Sequence, residues 1–155
     1  ASSSTAREPW RNPYAMSKYY METIAPHNAL GMRFTTVYGP GAREQMLIPK
    51  ILRDDVSYIN VDHSRDFIFI DDLLSAIGFL IVNKPPRKRK VIDVGTGVSH
   101  NLLDILSHLN MEVKDKRMGT IFERKDNKAQ IGVLSDMGWL PKTNLLDYLK
   151  ENYDN

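Results

Sequence analysis

An α/β domain with a largely parallel sheet is the fold class that this 155-residue chain predicts. Three runs rich in β-branched and aromatic residues (32–38, 66–70 and 90–94) alternate with segments of helical periodicity. Strands and helices in alternation build crossover units, whose strands lie parallel. The apolar fraction, 42%, over this length suffices for one compact unit, 1–155, with a real core.

The small polar residues 1–5 end a strand or fray, and 6–12 read as loop. A helix from about Pro13 to Ile24 follows, with Asn12 as N-cap, Pro13 at the first helical position and Met16, Tyr20 and Ile24 at helical spacing. Pro26 stops it. The strand 32–38 is ended by Gly39-Pro40-Gly41. Residues 45–53 read as helix, 58–61 as a short strand and 66–70 as another. Asp71 or Asp72 is then expected to cap a helix whose apolar stripe is Leu73, Leu74, Ile77 and Ile81. After the basic loop 84–90 come strand 90–94 and helix 101–109; two short strands are expected within 111–132. Thr143 caps a last helix carrying Leu145, Leu146, Leu149 and Tyr153. Parallel sheets bind ligands at the carboxyl ends of their strands, which selects the loops after Ser4, Tyr38, Ile70 and Val94.

Several function classes are set aside. No cysteine is present, which removes thiolate metal sites and fits a reducing compartment, hence a cytoplasmic setting. The four histidines show no paired ligand spacing and read as structural or exposed. The longest apolar run, 76–82, is too short to span a membrane. A net charge of +2 gives no steer toward nucleic acid. The cluster Lys84, Arg87, Lys88, Arg89 and Lys90 lacks interleaved aromatics and reads as a solvated loop. Trp10 and Trp139 read as packing residues.

Tyr14 and Lys18 lie four residues apart, one turn of helix and one face. A phenol is a poor base with a pKa near ~10, and a nearby ammonium favours its phenolate. The pair could therefore move protons, although spacing alone favours an ordinary helix with a packed Tyr and a solvated Lys.

Six blocks fall in one order: Ala1-Ser2-Ser3-Ser4; Pro13-Tyr14-Ala15-Met16-Ser17-Lys18; 31–41 with Arg33-Phe34-Thr35-Thr36-Val37-Tyr38-Gly39-Pro40; 65–72; Asp93-Val94-Gly95-Thr96-Gly97; and Met137-Gly138-Trp139-Leu140-Pro141-Lys142. The series resembles the extended short-chain dehydrogenase/reductase superfamily, specifically NAD-dependent nucleotide-sugar epimerases and dehydratases, and in wording most the 4-epimerases of UDP-uronic acids. The resemblance implies the C-terminal part of a Rossmann-like sheet (1–41 and 66–95) plus a small α/β substrate lobe (42–65 and 96–155). Tyr14 would be the acid–base on a sugar hydroxyl, and Lys18 would hold the nicotinamide ribose and favour the phenolate. Ser3, with Ser4 as the alternative, would bond the reacting oxygen. Tyr38, Gly39 and Pro40 would pass near the nicotinamide, and Thr36 would face the sugar. Arg65 would pair with the diphosphate of a nucleoside-diphosphate sugar, Arg124 with phosphate, and Asp126 would lie near the nucleotide ribose.

Such proteins begin with a strand, a Gly-rich turn and a helix that cradle the NAD pyrophosphate. Here the first residues already match the middle of the family, so a processed chain or a fragment is expected, inactive without an N-terminal NAD-binding half. Gly95-Thr96-Gly97 imitates the cradle, but His100 stands where the third small residue is wanted. A homodimer through the helix starting at Pro13, or a complementary N-terminal half, is the expected partner. The alternative is a cofactor-less remnant that binds sugar nucleotides or acts as a dimeric interaction module.

Overall fold

Three parallel strands in the order β1 (Ser2–Ser3), β2 (Gly31–Phe34), β7 (Val91–Val94) open the architecture of the computed structural model, which describes residues 1–85 and 90–153. The sheet class is the one expected. The run 32–38, however, is not one strand. Thr35 still donates to the Val94 carbonyl (3.1 Å), whereas Thr36 donates to the carbonyl of Asp66 (3.0 Å). From there β3 (Thr36–Tyr38) pairs in parallel with β6 (Phe67–Phe69). The run 66–70 narrows to β6, since Asp66 stands between β5 (Ser64–Arg65) and β6 and Ile70 already begins a helix.

Helix α1 (Pro13–Ile24) starts where local chemistry dictates. Asn12 is extended and its Oδ1 accepts from Ala15 N at 2.8 Å, with Pro13 at the first position. Only Ala15 of this helix is buried; Met16, Tyr20 and Ile24 share a face but present it outward. Glu22, on the inner side, receives Arg33 (Nε to Oε1, 2.8 Å) and Ser2 Oγ (2.6 Å), an anchor between α1 and the sheet. Trp10 is exposed rather than packed.

The remaining elements are α2 (Leu47–Leu52), β4 (Tyr58–Asn60), α3 (Ile70–Val82), β8 (His100–Asn101), α4 (Leu102–His108), β9 (Asp115–Arg117), α5 (Gly132–Asp136) and α6 (Leu145–Tyr153). β4 pairs with β9 in parallel and β5 with β8 antiparallel. The expected pair of strands within 111–132 is thus one strand, and α5 escaped the sequence reading. Two cores flank the β3–β6 ribbon. Phe67 and Tyr38 face Ile48, Ile51, Ile59, Leu102, Ile105, Leu106, Leu145 and Leu149. Ile68, one residue on and therefore on the opposite face, meets Leu73, Ala76, Leu80, Ile92, Val94, Leu134 and Trp139.

Helices α3 and α6 correct three expectations. Neither Asp71 nor Asp72 caps α3: its N-cap is Phe69, without a side-chain bond. The buried Asp72 carboxylate instead accepts from Lys142 N (3.1 Å) and Thr143 N (2.8 Å). The buried stripe of α3 is Leu73, Ala76 and Leu80, while Leu74 (58% exposed) and Ile81 (73%) face out. Asn144, not Thr143, caps α6, accepting from Leu146 N and Asp147 N. Among the described residues no helix is long and apolar enough to cross a membrane. The basic cluster's Arg87, Lys88 and Arg89 lie outside the described residues.

The partner switch is held by Asp66, fully buried. Its Oδ1 accepts from Thr96 N and Thr96 Oγ1, both at 2.8 Å, and its Oδ2 from Gly97 N (2.8 Å) and Ala129 N (3.0 Å). Asp66→Ala strands those donors in the interior, at about 1–3 kcal/mol each, so we expect a loss of at least ~3 kcal/mol in urea unfolding. Leu74→Ala, on the exposed face, should cost less than ~0.5 kcal/mol. Equal costs would contradict this arrangement.

Candidate active site

The carboxyl ends of β1 and β3 open onto one cleft of about 520 Å³. Ser3, Ser4 and Thr5 line it from β1 and the following turn; Thr36 to Arg43 line it from β3 and its loop, with Ile70 beside them. Arg65 from β5 and Glu123, Arg124 and Asn127 from the segment after β9 form the remaining wall, and Asn12 closes the α1 end. Three of the four loops selected from sequence thus meet here, and the loop after Val94 does not. Of the residues singled out in the sequence, the cleft gathers Ser3, Ser4, Thr36, Tyr38, Gly39, Pro40, Arg65 and Arg124. Tyr14, Lys18 and Asp126 are not in its lining.

Ser3 caps the turn Ser4–Arg7: its Oγ accepts from Thr5 N (3.3 Å) and Thr5 Oγ1 (3.0 Å). With its lone pairs so used, its own O–H remains to donate. Tyr38 is buried against Phe67, Phe69 and Tyr148, and burial pushes its phenol well above the usual range, with Asp72 adding to the effect. Its side chain therefore belongs to the core, and β3 offers the cleft chiefly backbone and Thr36. Asn127 joins the walls: its Oδ1 accepts from Asp66 N (2.6 Å) and its Nδ2 donates to Thr36 Oγ1 (3.0 Å).

Three cations stand in the lining. Arg124 Nε donates to Glu8 Oε1 (2.9 Å) and its Nη1 to the Ser4 carbonyl (2.8 Å). Partial burial would raise the Glu8 carboxyl, but the hydrogen bonds from Arg11 and Arg124 outweigh it and hold Glu8 below the ordinary value. Arg65 Nη1 donates to the Ser64 and Lys125 carbonyls (2.7 and 3.0 Å) and its Nη2 contacts His63 Nδ1 (3.1 Å). Burial lowers the Arg65 pKa, opposed by Glu123 and Asp126, and the group stays a cation. Arg43, not singled out in the sequence, is exposed, and among the described residues its guanidinium contacts Met46 Sδ (3.8 Å). Its position three residues beyond Gly39-Pro40 was the available signal. Asp126 is occupied by Ser99 Oγ (2.5 Å) and Lys128 N (2.9 Å).

Tyr14 and Lys18 share a face of α1, with Lys18 Nζ 5.4 Å from the centroid of the Tyr14 ring. Tyr14 is 55% exposed, two residues beyond Asn12. The start of α1 is tied to the far wall of the cleft: Arg11 Nη1 donates to the Ile121 carbonyl (2.7 Å) and Asn12 Nδ2 to that of Phe122 (2.8 Å).

The Gly95–Gly97 turn is closed to a pyrophosphate. The N–H groups of Thr96 and Gly97 already serve the Asp66 carboxylate. A Cβ on Gly95 would lie 2.6 Å from Ala129 Cβ and 2.7 Å from Thr35 Cγ2, so the close approach that demands glycine is to protein. Among the described residues no group of histidine and carboxylate side chains could hold a metal.

Burial lowers the pKa of His63, helped by Arg65 and opposed by Glu123 and Asp62; it lowers that of His100 too, opposed by Asp66. In acid the unfolded chain therefore takes up protons before the folded one does. Stability contributed by these groups is complete above about pH 6.5 and is lost as pH falls through the lowered folded-state values. Urea unfolding between about pH 8 and 5 should show that decline, and a rise on acidification would contradict it. A Cβ at Gly119 would come within 1.9 Å of His63 Nε2. Gly119→Ala should consequently cost about 1–3 kcal/mol in the same assay, and a neutral outcome would mean that the ring is not clamped.

The comparisons with known proteins fit this geometry. The profile of the NAD dependent epimerase/dehydratase family matches residues 1–95. A CDP-abequose synthase of Salmonella typhimurium strain LT2 is 30% identical, over 89% of this chain and 53% of its own length. The chain spans about half the length of the curated relatives it matches. Among solved structures, the UDP-glucuronic acid 4-epimerase from Bacillus cereus, in complex with UDP-glucuronic acid and NAD, superposes with a TM-score of 0.75 at 27% identity, covering 92% of this chain and 52% of that one. The NAD dependent NDP-hexosamine 5,6-dehydratase TunA shares the fold, with a TM-score of 0.72 at 21% identity over 92% of this chain and 52% of its own. With the family profile spanning 95 of its 155 residues, the chain belongs to the NAD dependent epimerase/dehydratase family.

Proposed function

We propose that residues 1–155 carry the acid–base helix and the substrate cleft of a nucleotide-sugar epimerase or dehydratase. The carrying observation is that residues from separate blocks of sequence, Ser3, Thr36, Arg65 and Arg124 among them, meet in one cleft beside the helix of Tyr14 and Lys18. Within this reading 42–65 and 96–155 form the substrate lobe, and 1–41 and 66–95 the Rossmann-derived part.

Tyr14 takes and returns the proton of a sugar hydroxyl, with the Lys18 ammonium against its ring. Ser3 donates its free O–H to the same oxygen. Arg65 offers the diphosphate its Nε–H and one Nη2–H, the donors that have no acceptor among the described residues. Arg124 shares its charge between Glu8 and phosphate, and Thr36 faces the sugar. NAD, when bound, supplies the redox step that makes a keto-sugar reachable. Tyr14, Lys18 and the Tyr38-Gly39-Pro40 backbone fit its nicotinamide end. Its pyrophosphate does not fit residues 95–97, whose donors Asp66 consumes. We assign that part to a complementary Gly-rich N-terminal half, so that residues 1–155 alone bind sugar nucleotide without turnover. The absence of cysteine supports a cytoplasmic setting.

The outward face of α1, with Met16, Tyr20 and Ile24 exposed, supports a homodimer built on this helix. The filled glycine turn favours a second reading, a cofactor-less module that binds sugar nucleotides. The two part in a thermal-shift and kinetic comparison. Both expect UDP-glucuronic acid to raise the melting temperature of the chain. The enzyme reading alone expects turnover with NAD once the N-terminal half is added, and a loss of about 10²–10⁴-fold in kcat for Tyr14→Phe with unchanged KM. Stabilisation without turnover would select the module, and no stabilisation by any sugar nucleotide would end both. The double change Tyr20→Glu/Ile24→Glu should shift a dimer to monomer in light scattering; an unchanged mass would place the contact elsewhere.

A further inference from the structure

One buried titratable side chain that does not line the cleft touches a residue that does. His63 is 1% exposed and lies between β4 and β5. Its Nδ1 is 3.1 Å from Arg65 Nη2 and 3.5 Å from Asn60 Nδ2. Both of those nitrogens only donate, so Nδ1 accepts and the neutral ring carries its hydrogen on Nε2. Nε2 itself is buried under Gly119 and has no hydrogen-bond partner among the described residues. The ring can therefore neither turn nor trade its acceptor for another.

Arg65 is held by three acceptors, the Ser64 and Lys125 carbonyls and this imidazole. Of the three, only the imidazole can lose its lone pair to a proton. The charged groups facing His63 are Arg65 on β5, Asp62 beside it in sequence, and Glu123 and Lys125 on the segment after β9, with Glu123 Oε2 3.7 Å from Nδ1.

We propose that His63 is a positioning residue for Arg65: accepting through Nδ1, its ring fixes the guanidinium in the cleft wall and leaves two N–H groups for the phosphate oxygens of a ligand. The ligand half of this statement rests on the sugar-nucleotide reading above; the positioning half does not. Protonating His63 removes an acceptor from Arg65 and sets a like charge beside it, so anion binding weakens in acid although His63 touches no ligand.

The test joins side-chain ¹⁵N NMR of the whole chain with calorimetric titration of UDP-glucose, whose diphosphate has no group titrating between about pH 5 and 8. The Arg65 Nε signal should titrate together with the His63 ring. The UDP-glucose Kd should rise about tenfold across that transition, the size expected for one charge-assisted hydrogen bond. His63→Phe should weaken binding about tenfold at the alkaline end and abolish the pH dependence. His63→Gln, which keeps an acceptor oxygen but cannot titrate, should bind like the parent at the alkaline end and hold that affinity in acid, where the parent weakens. An Arg65 signal indifferent to the His63 titration overturns the proposal whether or not UDP-glucose binds, and so does pH-independent binding. Coupled signals without UDP-glucose binding at any pH support the positioning and reject the sugar-nucleotide reading instead. Should His63→Phe fail to fold, the parent titration and His63→Gln decide the matter.

Discussion

A single buried carboxylate organises this structure. Asp66 sits where the chain leaves one sheet and joins another, and its backbone and side chain together bind three segments. Its carbonyl takes Thr36, its N–H reaches Asn127, and its carboxylate gathers Thr96, Gly97 and Ala129. Burying a carboxylate costs several kcal/mol unless its lone pairs are filled. Here both oxygens carry charge-assisted bonds, mostly from backbone N–H groups that could not otherwise be satisfied. The same set of bonds takes up the Thr96 and Gly97 N–H groups of the turn at 95–97, which a phosphate seated there would need.

The cleft follows from that switch. Because β3 moves to β6 at Thr36, the carboxyl ends of β1 and β3 diverge, and the gap between them is walled by Arg65, Arg124 and Asn127. Arg11 and Asn12 tie the start of α1 to the Ile121 and Phe122 carbonyls, which sets the helix of Tyr14 and Lys18 against the segment that carries Glu123 and Arg124. Arg65 and Arg124 are fixed in these walls by bonds to main-chain carbonyls and to the His63 and Glu8 side chains, the preorganisation that anion recognition would need.

What could be read from the sequence was what local chemistry determines. Asn12-Pro13 announces the start of α1, Gly39-Pro40-Gly41 the end of β3, and the alternation of β-rich and helical runs the sheet class. The strand break at Thr35 was invisible because both halves of the run 32–38 are equally β-prone; only the change of partner separates them. Asp72 looks like a cap by residue type, and its service to Lys142 and Thr143 depends on a contact across the fold. In α3 apolar residues lie nearly all round, so spacing could not choose between the expected stripe of Leu73, Leu74, Ile77 and Ile81 and the true one, which keeps Leu73 but runs through Ala76 and Leu80. In the cleft, Arg65 and Thr36 were found through the family wording, whereas Arg43 was missed, its one local mark being its place three residues beyond Gly39-Pro40. His63 was read as structural or exposed; its contact with Arg65 is tertiary.

The most direct measurement is a crystal structure of the chain with UDP-glucuronic acid. The account predicts the diphosphate within hydrogen-bond reach of the Arg65 guanidinium, in the cleft walled by Thr36 and Asn127, with Asp66 still bound to Thr96 and Gly97. A diphosphate seated on the 95–97 turn, with the Asp66 carboxylate displaced from it, would contradict the account.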